Sequence, residues 1–142
     1  MTIVCGTDLS ENAREAARAA AAIAKRLAVR LKLVHVIDEL GAELTAAGEQ
    51  SAIYAPVRTR VEEHAKELRI GHGIEVEPVV VVGIAHETLV EIARTTDASL
   101  IVVAALGVAK QHRWLLGSTA ERVAQASSVP VLVVRDAASL EG

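Results

Sequence analysis

Short runs of β-branched residues alternate with helix-forming segments along the whole chain, and this alternation restricts the possible folds more than any other feature. The apolar runs are TIVCGT at 2–7, LKLVHVI at 31–37, VEPVVVVG at 76–83, ASLIVVAA at 98–105 and VPVLVV at 129–134. Between the first two, residues 11–28 put Ala13, Ala16, Ala17, Ala20, Ala24 and Leu27 at helical spacing, a small-residue face that lets a helix lie close on a sheet. Further helices are predicted over 57–70, ended by GHG at 71–73, over 86–96, and from 118 to about 127. Strand-helix-strand units cross over right-handedly, so the strands run parallel and the helices cover both faces. The predicted fold is α/β: a single doubly wound five-stranded parallel sheet in the order 3-2-1-4-5. Pro78 lacks an amide donor and stands near the start of its run, which predicts an edge or early position for that strand.

At 142 residues the chain fits one domain, 1–142, with 39–56 read as a mobile loop and 136–142 as a frayed tail. Half the residues are hydrophobic, yet Tyr54 and Trp114 are the only aromatics, so the core must be built from Val, Leu, Ile and Ala. A formal charge of −3, without a basic tract or interleaved aromatics, argues against nucleic-acid binding. The N-terminus shows no leader, and no apolar run approaches the roughly 20 residues of a membrane helix, so a cytoplasmic protein without membrane insertion is expected. Cys5 is the sole cysteine and is read as a small buried core residue.

Residues 107–119, GVAKQHRWLLGST, read as a phosphate cradle opening a helix. Ser118 and Glu121 have capping-box spacing, which predicts Ser118 as the N-cap, and the unpartnered amides and dipole of a helix start suit an anion. An ordinary strand, loop and capped helix would give the same local pattern. In a doubly wound sheet, ligands lie beyond the carboxyl ends of the strands where the order reverses, which pairs Asp8 after the first strand with Gly107 after the fourth. A carboxylate accepts hydrogen bonds from a ribose but repels phosphate, so Asp8 belongs at a nucleoside end; its alternative is a helix-entry carboxylate.

These segments together resemble the universal stress protein family in its nucleotide-binding branch, over nearly the full chain. The family pattern Gly-x2-Gly-x9-Gly-Ser/Thr is matched in its second and third parts by Gly107 and Gly117-Ser118-Thr119. Thr7-Asp8-Leu9-Ser10 looks like its first strand end, and HVID at 35–38, VVGIAHETLVEIA at 81–93 and AERVAQASSVPVLVV resemble its later elements. The resemblance implies a Rossmann-like, adenine nucleotide alpha hydrolase-like sheet that binds ATP or AMP, with or without Mg2+, in stress response or signalling. It also implies a homodimer formed through the 129–134 edge strand and an unidentified regulatory protein partner. By the same analogy Asp8 and the backbone of Val36 hold the adenosine, Gly107, Gly117, Ser118 and Thr119 contact phosphates, and Gly6, Thr7 and Ala104 complete the site.

The chain departs from the family pattern at four positions. Ala104 replaces the leading glycine, Val108 and Ala109 replace basic and hydroxyl residues, and Gly6 stands where the family frequently has Pro. A ligand-free dimeric scaffold with an eroded site is the second reading. Lys110, His112 and Arg113 offer replacement charge from within the loop, and Trp114, Leu115 and Leu116 form an apolar triplet that either anchors the loop or meets a partner. No histidines share a metal-ligand spacing, so no metal site is expected. His35 is read as a strand residue with one hydrogen-bonded nitrogen, and His86 as the better functional histidine. With no base or Walker lysine beside Ser118 and Thr119, the chain is not expected to be an enzyme beyond slow ATP hydrolysis or self-phosphorylation.

Overall fold

The computed structural model describes residues 1–38, 46–105 and 116–135, with the side chains of 46–53 left aside. The elements run β1 (Thr2–Gly6), α1 (Glu11–Leu27), β2 (Arg30–Asp38), α2 (Ala46–His72), β3 (Val76–Gly83), α3 (Ala85–Thr95), β4 (Leu100–Ala104), α4 (Ser118–Ala126) and β5 (Val131–Val134). The strands form one five-stranded sheet in the order β3-β2-β1-β4-β5 with every pair parallel, as the sequence predicts.

The two-residue side-chain period of each strand sorts the core into two layers. Ile3, Cys5, Leu31, Leu33 and Val102 point to one face and meet the alanines of α1 and Val61, Ala65 and Leu68 of α2. Val4, Val34, Ile101 and Val103 point to the other and meet Leu89 and Ala93 of α3 and Ala120 and Val123 of α4. The missing bulk on α1 is what brings it close: Ala16, Ala17, Ala20, Ala21 and Ala24 are all fully buried. Cys5 is fully buried too, and burial pushes its thiol up to about 12, so it serves as a core residue.

Residues 46–56, read from sequence as part of a loop, belong to α2. Gly48 and Pro56 look like breakers, and the segment lacks a clear helical period. Tertiary contact supplies what the local pattern lacks: Tyr54 and Val57 pack on the core, and the Tyr54 hydroxyl donates to the Val80 carbonyl at 3.2 Å. At its other end α2 runs through Gly71 and His72 and stops where Gly73 turns left-handed, at φ 66. β5 is two residues shorter than its apolar run, because Ser127 Oγ bonds both the amide and the carbonyl of Val129 and holds it in a turn.

The two sheet edges differ. Leu31 donates to the Glu75 carbonyl, so by alternation the amides and carbonyls of Val76, Pro78, Val80 and Val82 face outward from β3. That edge is blunted. Arg69 Nε donates to the Val76 carbonyl at 2.9 Å, Tyr54 covers the Val80 carbonyl, and Pro78 has no donor to offer. On β5 the carbonyls of Pro130 and Val134 face β4, leaving the backbone of Val131 and Val133 outward. No side chain among the described residues bonds those groups.

Candidate functional site

β1 leads into α1 on one face of the sheet and β4 leads into α4 on the other, so the chain diverges between two adjacent parallel strands. The divergence leaves a cleft of about 380 Å3 at the carboxyl ends of β1, β2 and β4, lined by Gly6, Thr7, Asp8, Ala13, Val34, His35, Val36, Ala85, Leu89, Val103, Ala104, Gly117, Ser118, Thr119 and Ala120. Its size lies in the range of small-molecule pockets, roughly 300–1,000 Å3. Eight of the nine site residues predicted from sequence line it: Gly6, Thr7, Asp8, Val36, Ala104, Gly117, Ser118 and Thr119. Gly107 lies outside the described residues, as do Val108, Ala109, Lys110, His112, Arg113, Trp114 and Leu115.

The first wall is the turn from β1 to α1. The Thr7 amide donates to the Val34 carbonyl at 2.8 Å, and the Thr7 carbonyl lies 2.8 Å from His35 Nδ1. Thr7 Oγ1 accepts from the Leu9 amide at 3.0 Å, which supports Leu9 in a left-handed conformation at φ 67. Asp8 Oδ1 accepts from the Ser10 amide at 3.0 Å, and Ser10 Oγ caps α1 by accepting from the Ala13 amide at 3.1 Å. Asp8 is exposed and is the one side chain with a full charge among the described residues of the lining. One carboxylate oxygen therefore shapes the turn.

Val36 belongs to the second wall. Because Val34 bonds toward β1, the amide and carbonyl of Val36, two residues along the same strand, also turn to that side, and β1 has ended there. A backbone donor and acceptor thus sit side by side on an open strand edge.

The third wall corrects an expectation. Ser118 is not the N-cap of α4; Gly117 is, at φ −64 and ψ 157, with no side-chain cap bond. The reason is long-range: the Gly117 amide donates to the Ala105 carbonyl at 2.6 Å, which fixes Gly117 in extended geometry just past β4. Ser118 and Thr119 become the first two helical residues, exposed at the cleft, with the helix's unpartnered amides around them. Partial positive charge at this helix end and the Asp8 carboxylate thus line one cleft.

The sequence gives Leu89 no role in the site and places Gly6 there only through the family resemblance. In the structure a Cβ on Gly6 would stand 2.8 Å from Leu89 Cδ1, so the glycine is where α3 closes on β1 beside the cleft. A glycine inside a strand is the signal that would have shown this. His35 does have one hydrogen-bonded nitrogen, as expected, and it lines the cleft. His86 does not line it. Among the described residues no three His, Cys, Asp or Glu side chains gather to hold a metal, and no helix is long and apolar enough to cross a membrane.

The profile of the Universal stress protein family matches residues 1–135. Universal stress protein MJ0577 of Methanocaldococcus jannaschii is 32% identical over 152 residues, covering 94% of this chain and 93% of that protein. A solved structure of MJ0577 superposes with a TM-score of 0.84 at 33% identity, covering 95% of each chain. Universal stress protein YxiE of Bacillus subtilis is 29% identical over 148 residues, covering 95% of this chain and 97% of that protein. A crystal structure of a universal stress protein in complex with cAMP has a TM-score of 0.75 at 28% identity, covering 94% of this chain and 96% of that one. Fold, cleft and sequence agree: the chain belongs to the universal stress protein family.

Proposed function

We propose that this protein binds an adenine nucleotide, ATP or AMP, in the cleft between β1 and β4 and acts in stress response or signalling as a regulatory module. The observation that carries the reading is the convergence of three complementary groups: the open backbone edge at Val36, the Asp8 carboxylate and the amino end of α4. An amide and a carbonyl side by side match the N1 acceptor and N6 donor of adenine. The carboxylate accepts from ribose hydroxyls, and the helix start receives phosphate. The relative solved with cAMP supports this ligand class. Any Mg2+ arrives with the nucleotide's phosphates rather than in a protein cage. Gly107, outside the described residues, contributes a phosphate contact in this reading.

The protein works as a binder and not as a catalyst, in the cytoplasm, where nucleotide occupancy changes the surface offered to a regulatory partner. It forms a homodimer through β5, whose outward backbone at Val131 and Val133 is open while the β3 edge is blunted. Titration calorimetry with ATP, ADP, AMP and IMP tests the ligand. Heat with the adenine nucleotides and little with IMP, whose ring edge reverses the donor and acceptor, is the expected result. No heat and no thermal shift at millimolar nucleotide overturns it.

A second reading rests on Ala104, which lines the cleft at a position where the family pattern has glycine. Here the protein is a dimeric scaffold with an eroded site. Ala104→Gly separates the two: restored binding in a variant of a non-binding parent supports erosion.

A further inference from the structure

The ladder between β1 and β2 stops one bond short of where its geometry leads. In a parallel pair, amides of alternate residues donate to successive carbonyls of the neighbour. The Thr7 amide donates to the Val34 carbonyl, so the next bond in the series runs from the Val36 amide to the Thr7 carbonyl. Cα pairing nevertheless ends at Gly6 with Val34, and the Thr7 carbonyl instead lies 2.8 Å from Nδ1 of His35. A carbonyl only accepts, so Nδ1 carries the imidazole proton.

We infer that His35 is the positioning residue of the cleft: its imidazole N–H replaces the Val36 amide at the Thr7 carbonyl and so holds the strand edge open for a ligand. The substitution is local and economical. His35 precedes Val36 in β2, and consecutive side chains alternate across the sheet, so the ring reaches Thr7 from the α1 face while the Val36 backbone stays in the sheet plane. Without the ring, the Thr7 carbonyl and the Val36 amide are two neighbouring groups lacking partners, and they close on each other. The ligand in this account is the adenine base of the reading above, on which that part of the inference rests; the wedge itself is a property of the ligand-free chain.

Amide exchange measured by NMR on the ligand-free full chain tests it. In His35→Ala the Val36 amide is expected to exchange about tenfold more slowly than in the parent, because it joins the ladder. In His35→Asn, whose side-chain amide places N–H where Nδ1–H stood, exchange stays at the parent rate. AMP affinity follows the same order, about tenfold weaker in His35→Ala and retained in His35→Asn. Equal Val36 exchange in the parent and His35→Ala overturns the inference, whatever AMP does. So does a nitrogen-15 spectrum of the parent imidazole with the proton on Nε2, a readout that stands even where His35→Ala does not fold. A parent that binds no AMP rejects the nucleotide reading alone, and the exchange comparison still decides the role of His35.

Discussion

The amide of Gly117 reaches the carbonyl of Ala105 at 2.6 Å and ties the start of α4 to the end of β4. One bond between residues twelve positions apart in the sequence thus decides which residue caps the helix. It frees the Ser118 hydroxyl from a capping role and leaves it at the cleft. Ser118→Ala is therefore expected to change unfolding free energy by less than about 0.5 kcal/mol. Ser10→Ala, which removes a real cap, is expected to cost about 1 kcal/mol. Urea unfolding of the two variants compares them directly, and equal losses would contradict the assignment.

Gly6 has no φ requirement, yet it has no room. An added methyl meets Leu89 Cδ1 at 2.8 Å, and Leu89 is buried against Val103 and its neighbours. Gly6→Ala should cost about 1–3 kcal/mol through overpacking. Shortening the partner in Gly6→Ala with Leu89→Val should recover part of that loss, so the double variant is expected to fall short of additivity. Thermal melts of the four proteins in the cycle measure it.

His64 sits almost fully buried between α1 and α2, and its Nδ1 has no hydrogen-bond partner among the described residues. Desolvation, then the positive charge of Arg14 and of Arg18, holds its pKa below the ordinary 6.5, against an opposing pull from Glu67. A depressed histidine is neutral in the native state while the unfolded chain takes up a proton first as pH falls. Its contribution to stability is present above pH 6.5 and is lost as pH drops below that value toward the folded one. His64→Leu should flatten the melting temperature between about pH 7.5 and 5.5 relative to the parent. A parent melting temperature independent of pH over that window would remove the argument.

The open edge of β5 gives the fourth prediction. Val133 turns its amide outward, so proline there deletes a donor at the proposed interface without touching the ladder to β4. Val133→Pro is expected to shift sedimentation from dimer to monomer with the fold retained. The same change at Leu132, whose amide faces β4, should instead unfold the edge. Sedimentation and circular dichroism together distinguish the two.

Strand identities and order were legible because Val and Ile cluster in short runs and the crossover rule leaves few topologies. The reversal point that pairs Asp8 with the end of the fourth strand follows from the same topology, and helix-start chemistry marks Gly117 and Ser118, whereas Val36 and Thr119 were placed only by the resemblance to the family. What stayed hidden depended on distant partners. The start of α2 needed Tyr54 to find Val80, and the cap of α4 needed Gly117 to find Ala105. Gly6 acquires its meaning only against Leu89, 83 positions away, and no local pattern encodes that distance.

The β1–β4 ladder joins Ile3 to Leu100 and Cys5 to Val102, so the walls of the cleft come from opposite ends of the chain. An unfolded chain holds nothing that resembles them. By mass action, any molecule bound there favours the native state alone, adding about 2.7 kcal/mol at a concentration one hundred times its dissociation constant. Occupancy and chain integrity are therefore the same quantity read two ways: under heat or acid, a protein built like this loses its ligand when it loses its shape, and keeps its shape longer where the ligand is abundant.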